Sequence, residues 1–352
     1  MANWREKVID AGMGLFCASG AHWLAAPFTR GVGAILTFHH VRPGADREFA
    51  PNRGLEISPS FLDALLGHLR GRGYRILSLD DALEALAKPS SGQGPFVALT
   101  FDDGYRDLVE FALPILERHQ APFVAYVTTD FADGAARLWW LELEEAFARL
   151  DRIEIEAGGE LFCAKTASES EKALAFDQLY WRLRAGSEEE LLRVAAALCA
   201  QAGIEPLGLA KRLCLDWSEL AVLAQHELAT IGAHSVTHAR LAKLDRAAAR
   251  REMAESREKI AVKLQVEARH FCYPVGDPTS AGPREFGLAS ELGFTSAVTT
   301  RPGVLLFEHC AEPFSLPRVS VNGRHQNLTA MDVLLSGAPF ALMNRGRKAR
   351  AA

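Results

Sequence analysis

The chain of 352 residues has no long unbroken apolar run. Its most apolar early stretch, 8–28, is interrupted by Asp10, His22 and several glycines, so it is too broken to span a bilayer. It also lacks a clean apolar core followed by a small-residue cleavage site, which makes a cytoplasmic protein the expectation. No C-x-x-C pair occurs among the six cysteines (Cys17, Cys163, Cys199, Cys214, Cys272 and Cys310), and their spacing has no metal-ligand regularity. Most of them sit in apolar surroundings and read as buried thiols in a reducing compartment. A strong excess of one charge is missing as well. The formal net charge is -5, from 39 Lys and Arg against 44 Asp and Glu, so nothing points to nucleic acid as a partner. Internal repeats and low-complexity segments are absent.

Apolar residues make up 49% of the chain and charged residues 24%, enough for a sizeable core. Short apolar or β-branched runs alternate with longer helical patterns. The runs 34–38, 96–101, 122–128, 228–233, 270–273, 295–299 and 315–319 read as strands. Stretches 60–72, 107–119 and 246–264 read as helices, the last with one charged and one apolar face. Such alternation argues for parallel strands with helices outside. Seven strands favour a barrel over an open sheet, although periodicity does not separate the two. Residues 131–215 break the rhythm as a mainly helical insertion, with helices at 138–150, 171–183 and 187–202 and one hairpin around Gly158-Gly159. The expected organisation is an N-terminal helical segment (1–30), an α/β barrel (31–325) carrying that insertion, and a C-terminal helix and basic tail (326–352). The tail holds Arg345, Arg347, Lys348 and Arg350. The N-terminal segment is expected to pack on the barrel, with peripheral contact to a membrane surface as the sharper alternative.

Two motifs carry chemistry. In Leu99-Thr100-Phe101-Asp102-Asp103-Gly104-Tyr105, an apolar strand runs into two adjacent carboxylates and a glycine that permits a sharp turn. Functional side chains of parallel α/β folds gather at the carboxyl ends of strands. Neighbouring acids there repel each other unless something positive lies beside them. In Ile231-Gly232-Ala233-His234-Ser235-Val236-Thr237-His238, two histidines four apart are expected on one face of a helical turn, where both can reach one ion. Two imidazoles and a carboxylate form the usual three-ligand site of a catalytic zinc. The second Asp is left over to take a proton from water.

The pair of motifs resembles the polysaccharide deacetylases, the NodB-homology enzymes of carbohydrate esterase family four. The likeness spans roughly 35–321 and includes Leu36-Thr37-Phe38-His39-His40-Val41, Trp217-Ser218-Glu219-Leu220, Phe271-Cys272-Tyr273-Pro274-Val275-Gly276 and Leu316-Pro317-Arg318-Val319. It implies a distorted (β/α)7 barrel that hydrolyses N-acetyl groups on aminosugars of a poly- or oligosaccharide, a surface glycan or its lipid-linked precursor. The implied cofactor is one divalent ion, zinc first among the choices. Asp102 matches the general base, and Asp103, His234 and His238 match the metal ligands. Tyr273 and Val275 match the substrate and oxyanion segment, with the Val275 N–H as donor.

The chain departs from the family in two places. The late Leu-x-His motif that supplies the general acid has no clean copy. His39, closing the first strand, is the favoured replacement, ahead of His309. The Arg-x-Pro-Tyr segment is absent as such, and Cys272-Tyr273-Pro274-Val275 stands there instead. Arg318 is the expected substitute, because its guanidinium can hold a carboxylate through two hydrogen bonds. Trp217 is expected at a helix start; Trp139-Trp140 offers faces that could stack on sugar rings, but core packing or an interface contact fits the pair as well, and no role is assigned. A glycosidase is a poor fit, since its carboxylates flank a scissile bond at least about 5 Å apart and the histidines would go unexplained. The competing reading is a barrel that keeps the ligands and binds glycan without turning it over.

Overall fold

A computed structural model describes Gly14 and residues 19–44, 47–88, 94–205 and 207–343. The basic tail, Cys17 and most of the first 18 residues lie outside them. In chain order the strands are β1 (Gly33–Phe38), β2 (His40–Val41), β3 (Glu56–Ile57), β4 (Arg75–Leu77), β5 (Phe96–Phe101), β6 (Phe123–Val127), β7 (Arg152–Ala157), β8 (Glu160–Lys165), β9 (Ala229–Ala233), β10 (His270–Cys272), β11 (Ser296–Pro302) and β12 (Leu316–Ser320).

Seven of these are parallel neighbours in the order β1-β12-β11-β10-β9-β6-β5. The ring closes where β5 pairs with β1 along its whole length, from Gly33 beside Phe96 to Phe38 beside Phe101. All seven strands expected from the sequence are members, and the architecture is a (β/α)7 barrel. β4 was not legible in the sequence. It has three half-buried residues and pairs only with Phe96–Ala98, after which β6 takes over the same edge of β5 from Leu99 onward.

The two-residue period of a strand sorts its side chains between the barrel's interior and its helical jacket. Ile35, Ala98, Val124, Val298 and Leu316 form an inner apolar cluster, joined by Leu79, Ala82 and Leu86 from helix Leu79–Ala87. Leu36, Phe38, Leu99, Phe101, Ala125 and Ile231 belong to an outer cluster with the surrounding helices. The same alternation, continued one layer up, turns Thr37, His39, Thr100, Asp102, His234 and Arg318 inward.

The jacket helices follow their local chemistry. Pro59–Gly71 starts with Pro at its first position, and the Ser58 hydroxyl accepts from the Phe61 N–H. Arg246–Leu264 starts at Asp245 and buries Ala249, Met253, Ser256, Ile260 and Leu264, one stripe at helical spacing. Stretch 107–119 is not one regular helix. A π-helical turn, Leu108–Ala112, precedes helix Leu113–Arg118, because Pro114 has no N–H and its ring crowds the preceding turn.

The segment between β6 and β9 forms a second body over one side of the barrel mouth. It contains helices Trp139–Arg149, Glu169–Ala185, Glu188–Ala202 and Gly208–Leu213 and the antiparallel hairpin β7–β8. Gly158 and Gly159, with φ of 59° and 77°, make the tight hairpin turn. Phe147, Ile153, Leu179, Leu191, Val194 and Leu198 build its own apolar core. Polar clamps fasten it down. Arg47 bridges Glu56 and Glu144, Asn52 donates to Glu144 (2.8 Å), and Arg240 pairs with Glu188 and the Arg184 carbonyl.

Gly232 lies on β9 two residues before His234, and a Cβ there would meet the Tyr126 ring at 2.5 Å. Gly232→Ala should therefore cost about 1–3 kcal/mol through overpacking, read as a lower Tm in thermal denaturation. An unchanged Tm would mean that the ring yields without cost.

Candidate active site

The carboxyl ends of the barrel strands surround one cavity of about 330 Å³. Its floor and walls include Thr37, His39, Asp102, Asp103, His234, His238, Val275, Thr300, Arg318 and Ser320 from the barrel. The insertion contributes Trp139, Trp140, Tyr180 and Arg184, and the loop after β2 contributes Asn52 and Leu55.

Two charged constellations meet at the floor. In the first, Arg318 reaches from β12 across β1 to the end of β5. Its Nη1 donates to Asp102 Oδ1 (2.8 Å) and its Nη2 to Asp102 Oδ2 (2.7 Å). The guanidinium also donates to the Thr299 carbonyl (2.8 Å) and Thr100 Oγ1 (3.0 Å). Both partners of the pair are buried. Burial alone would raise the Asp102 pKa, but the guanidinium outweighs it and the net shift is downward, so Asp102 is held ionised. Cys272 Sγ completes the cradle, 3.2 Å from Arg318 Nη2 and 3.5 Å from Asp102 Oδ2. Burial pushes its thiol pKa up, so it stays neutral.

In the second constellation, Asp103 Oδ1 lies 3.4 Å from His234 Nε2 and 3.3 Å from His238 Nε2. All three side chains are buried, and their ligand atoms lie within 4.8 Å of one another. The Asp103 oxygen has no hydrogen-bond partner. His234 donates through Nδ1 to the Cys272 carbonyl (2.7 Å), which leaves the Nε2 lone pair facing Asp103.

The sequence profile of the polysaccharide deacetylases matches residues 90–159 and 164–296, more than half of the chain. The chain belongs to the polysaccharide deacetylase family. No curated protein matches its sequence. Solved structures that share the fold include the Streptococcus pyogenes deacetylase PplD in complex with acetate, at 18% identity and a TM-score of 0.56, covering 86% of this chain and 96% of that one. IcaB from Ammonifex degensii is similar at 17% identity and a TM-score of 0.53, covering 86% and 97%. A de-N-acetylase from Aggregatibacter actinomycetemcomitans is similar at 13% identity and a TM-score of 0.53, covering 86% and 99%.

The deacetylase's trio of Asp103, His234 and His238 fits a divalent ion. A buried anionic oxygen without a donor invites a cation. Ligand bonds of zinc length arranged tetrahedrally put neighbouring donors about 3.3 Å apart, as found here between Asp103 and each imidazole. The histidines do not converge through a helical turn, as the four-residue spacing suggested. Ser235 (φ 65°) and His238 (φ 64°) adopt left-handed backbone, and the segment is a loop that doubles back. Asp103 (φ 71°) and Val275 (φ 62°) share that conformation, so four of the seven non-glycine residues with positive φ among the described residues lie at this site.

Other expectations divide. His39 is on the floor, with Nε2 3.9 Å from Asp102 Oδ2 and a fifth of its side chain exposed. Burial lowers its pKa, against an upward pull from Asp102 and Asp103. His309 is excluded from the cavity. It sits in the turn Phe307–Ala311, just after Leu305 binds Gly33 at the opposite end of β1. Tyr273 is also corrected, because its ring packs among Phe271 and Phe286 in the outer core and its hydroxyl donates to the Phe314 carbonyl (2.9 Å). Val275 does line the cavity. Trp217 opens helix Trp217–Ala224 behind the Asp216 cap and donates to Asp133 (2.6 Å). Of the five cysteines among the described residues, Cys199, Cys214 and Cys272 are buried, whereas Cys163 and Cys310 are exposed.

Of the aromatic and basic wall, Trp139 and Trp140 were weighed from the sequence without a role, and Tyr180 and Arg184 were missed. Trp140 lies against the His238 ring (centroids 4.8 Å apart) and Trp139 stacks on Tyr180 (5.5 Å). Tyr180 and Arg184, one helical turn apart, were a legible signal of a shared face.

The buried ion pair yields a testable consequence. In chelator-treated protein, Arg318→Met should cost about 3–5 kcal/mol, because it strands a buried carboxylate. The lowered Asp102 pKa stabilises the wild type above the ordinary carboxylate range, and that contribution fades as pH falls through the folded value. The variant's Asp102 pKa should be raised by burial, so the variant should regain stability on acidification. Thermal melts from pH 8 to 2 check both signs.

Proposed function

We propose that the protein removes N-acetyl groups from aminosugar residues of a glycan by metal-assisted hydrolysis. The observation that carries this reading is the opening of an arginine-clamped carboxylate and a donor-free Asp-His-His trio onto one cavity. A divalent ion held by Asp103, His234 and His238, zinc by its ligand preference, would supply a more acidic water and polarise the acetyl carbonyl.

The chain's own groups divide the remaining work. Asp102 accepts the proton of the attacking water, and Arg318 keeps that carboxylate ionised and aimed. The Val275 N–H, which has no acceptor among the described residues, would donate to the oxyanion that develops on the acetyl carbonyl oxygen. His39, neutral at rest, passes the proton on to the departing nitrogen. One proton leaves the water and one reaches the amine, so the step balances. Trp139, Trp140 and Tyr180 offer flat faces to sugar rings. His39 beside Asp102 favours hydrolysis over the alternative of a non-hydrolytic glycan-binding barrel, since, despite the missing Leu-x-His motif, it offers a relay for the proton that Asp102 takes up.

Wild-type protein incubated with N-acetylated oligosaccharides should release acetate, detected by mass analysis of the sugar. Asp102→Asn should lower the rate by at least about 10²-fold, and full activity would rule Asp102 out as the base. His39→Gln should lose amide hydrolysis yet retain cleavage of an activated acetyl ester, whose leaving group needs little protonation. Equal loss of both would place His39 elsewhere in the reaction. Chelation should lower the Tm, and zinc should restore it.

A further inference from the structure

The end of the barrel away from the cavity carries a feature that deacetylation does not use. Helix Ala21–Thr29 leads into the N-terminal end of β1, and helix Ala338–Met343 packs beside it. Thr29 Oγ1 donates to the Ser336 carbonyl (2.6 Å). Gly337, with φ of 72°, sits where a Cβ would overlap the Thr29 carbonyl, so only glycine allows this approach. The two ends of the described chain are thereby fixed side by side.

The first helix buries His22 against the protein and turns Trp23, Leu24, Pro27 and Phe28 outward, one face at helical spacing. Leu24 is 82% exposed and Phe28 90%. Leu342 and Met343 add 67% and 60% beside them. Five of the twelve exposed large apolar side chains among the described residues come from these two short helices, which makes a patch rather than scatter. Cations border it. The Arg72 guanidinium lies over the Trp23 ring at 4.3 Å while paired with Asp332 (2.9 Å), and Arg30 follows the helix in the open. The sequence after Met343 adds Arg345, Arg347, Lys348 and Arg350 and no acidic residue.

We propose that this face docks on an anionic lipid surface. Apolar side chains with a tryptophan among them enter the headgroup boundary, and a clustered basic segment meets the negative lipid heads. Charge disfavours the other occupants. A second copy placed face to face would bring two basic tails together. Residues 1–18 carry Arg5 and Lys7 against Glu6 and Asp10, so they offer no counter-charge. Docked this way, the cavity opens away from the bilayer, toward glycan extending into solution. The proposal does not depend on the deacetylase reading.

Co-sedimentation of the full chain with phosphatidylcholine vesicles, alone or mixed with phosphatidylglycerol, tests it at low and high salt. We expect at least ten-fold tighter binding to the anionic vesicles, weakening as salt rises. The double substitution Leu24→Glu with Phe28→Glu should remove that binding while leaving the Tm and acetate release from a soluble oligosaccharide unchanged. Arg347→Gln with Lys348→Gln should weaken it and flatten its salt dependence. No binding by wild type, or equal binding by the Leu24/Phe28 variant, overturns the proposal. So does light scattering that shows a dimer dissolved by that variant, which would make the face a subunit contact. Binding only after removal of residues 1–18 would assign the face to the chain's own N-terminus, which also overturns it.

Discussion

The buried pair of Arg318 and Asp102 is the interaction on which the site is built. Two full charges are taken out of water inside the barrel, a placement that is costly unless every polar atom finds a partner. The partners come from three strands: Asp102 from the end of β5 and Thr100 one layer below it, Thr299 from β11, and Cys272 from β10. The ring must therefore be closed, and in this register, before the pair can form. Conversely, a one-residue slip of β12 would turn Arg318 into the apolar jacket. The charge pair and the barrel's register specify one another.

Around that pair the backbone is strained where the chemistry lies. Asp103, Ser235, His238 and Val275 hold left-handed backbone without being glycine. Each costs energy that the surrounding packing must override, and each turns a side chain or an N–H that regular strand geometry would send elsewhere. In this way Asp102 and Asp103, adjacent in sequence, face different partners rather than each other. One meets a guanidinium, the other two imidazoles.

The insertion changes what the barrel can hold. Alone, the barrel would present a shallow polar floor. The helices Trp139–Arg149 and Glu169–Ala185 raise one wall of aromatic faces and a guanidinium, anchored by clamps at Glu144 and Arg240. That wall rests on a body with its own core, which can vary without disturbing the register below.

The sequence alone determined a good deal. Seven apolar runs at barrel spacing became seven barrel strands, because a strand buried on both faces must be apolar throughout, and such runs are legible locally. The acidic pair and the spaced histidines followed apolar runs and so marked strand ends, and Arg318 was matched to Asp102 through the family resemblance, as the substitute for an arginine the chain lacks beside Tyr273-Pro274. Tertiary structure decided the rest. Whether the sheet closed depended on the pairing of β1 with β5, a contact between residues some sixty apart that periodicity does not encode. The choice of His39 over His309 and the removal of Tyr273 turned on which end or which face of a strand each occupies. The place of Trp139, Trp140, Tyr180 and Arg184 in the cavity depended on how the insertion docks. Local pattern determines which residues are buried and on what period; distance in space between remote segments is set only when the whole ring has closed.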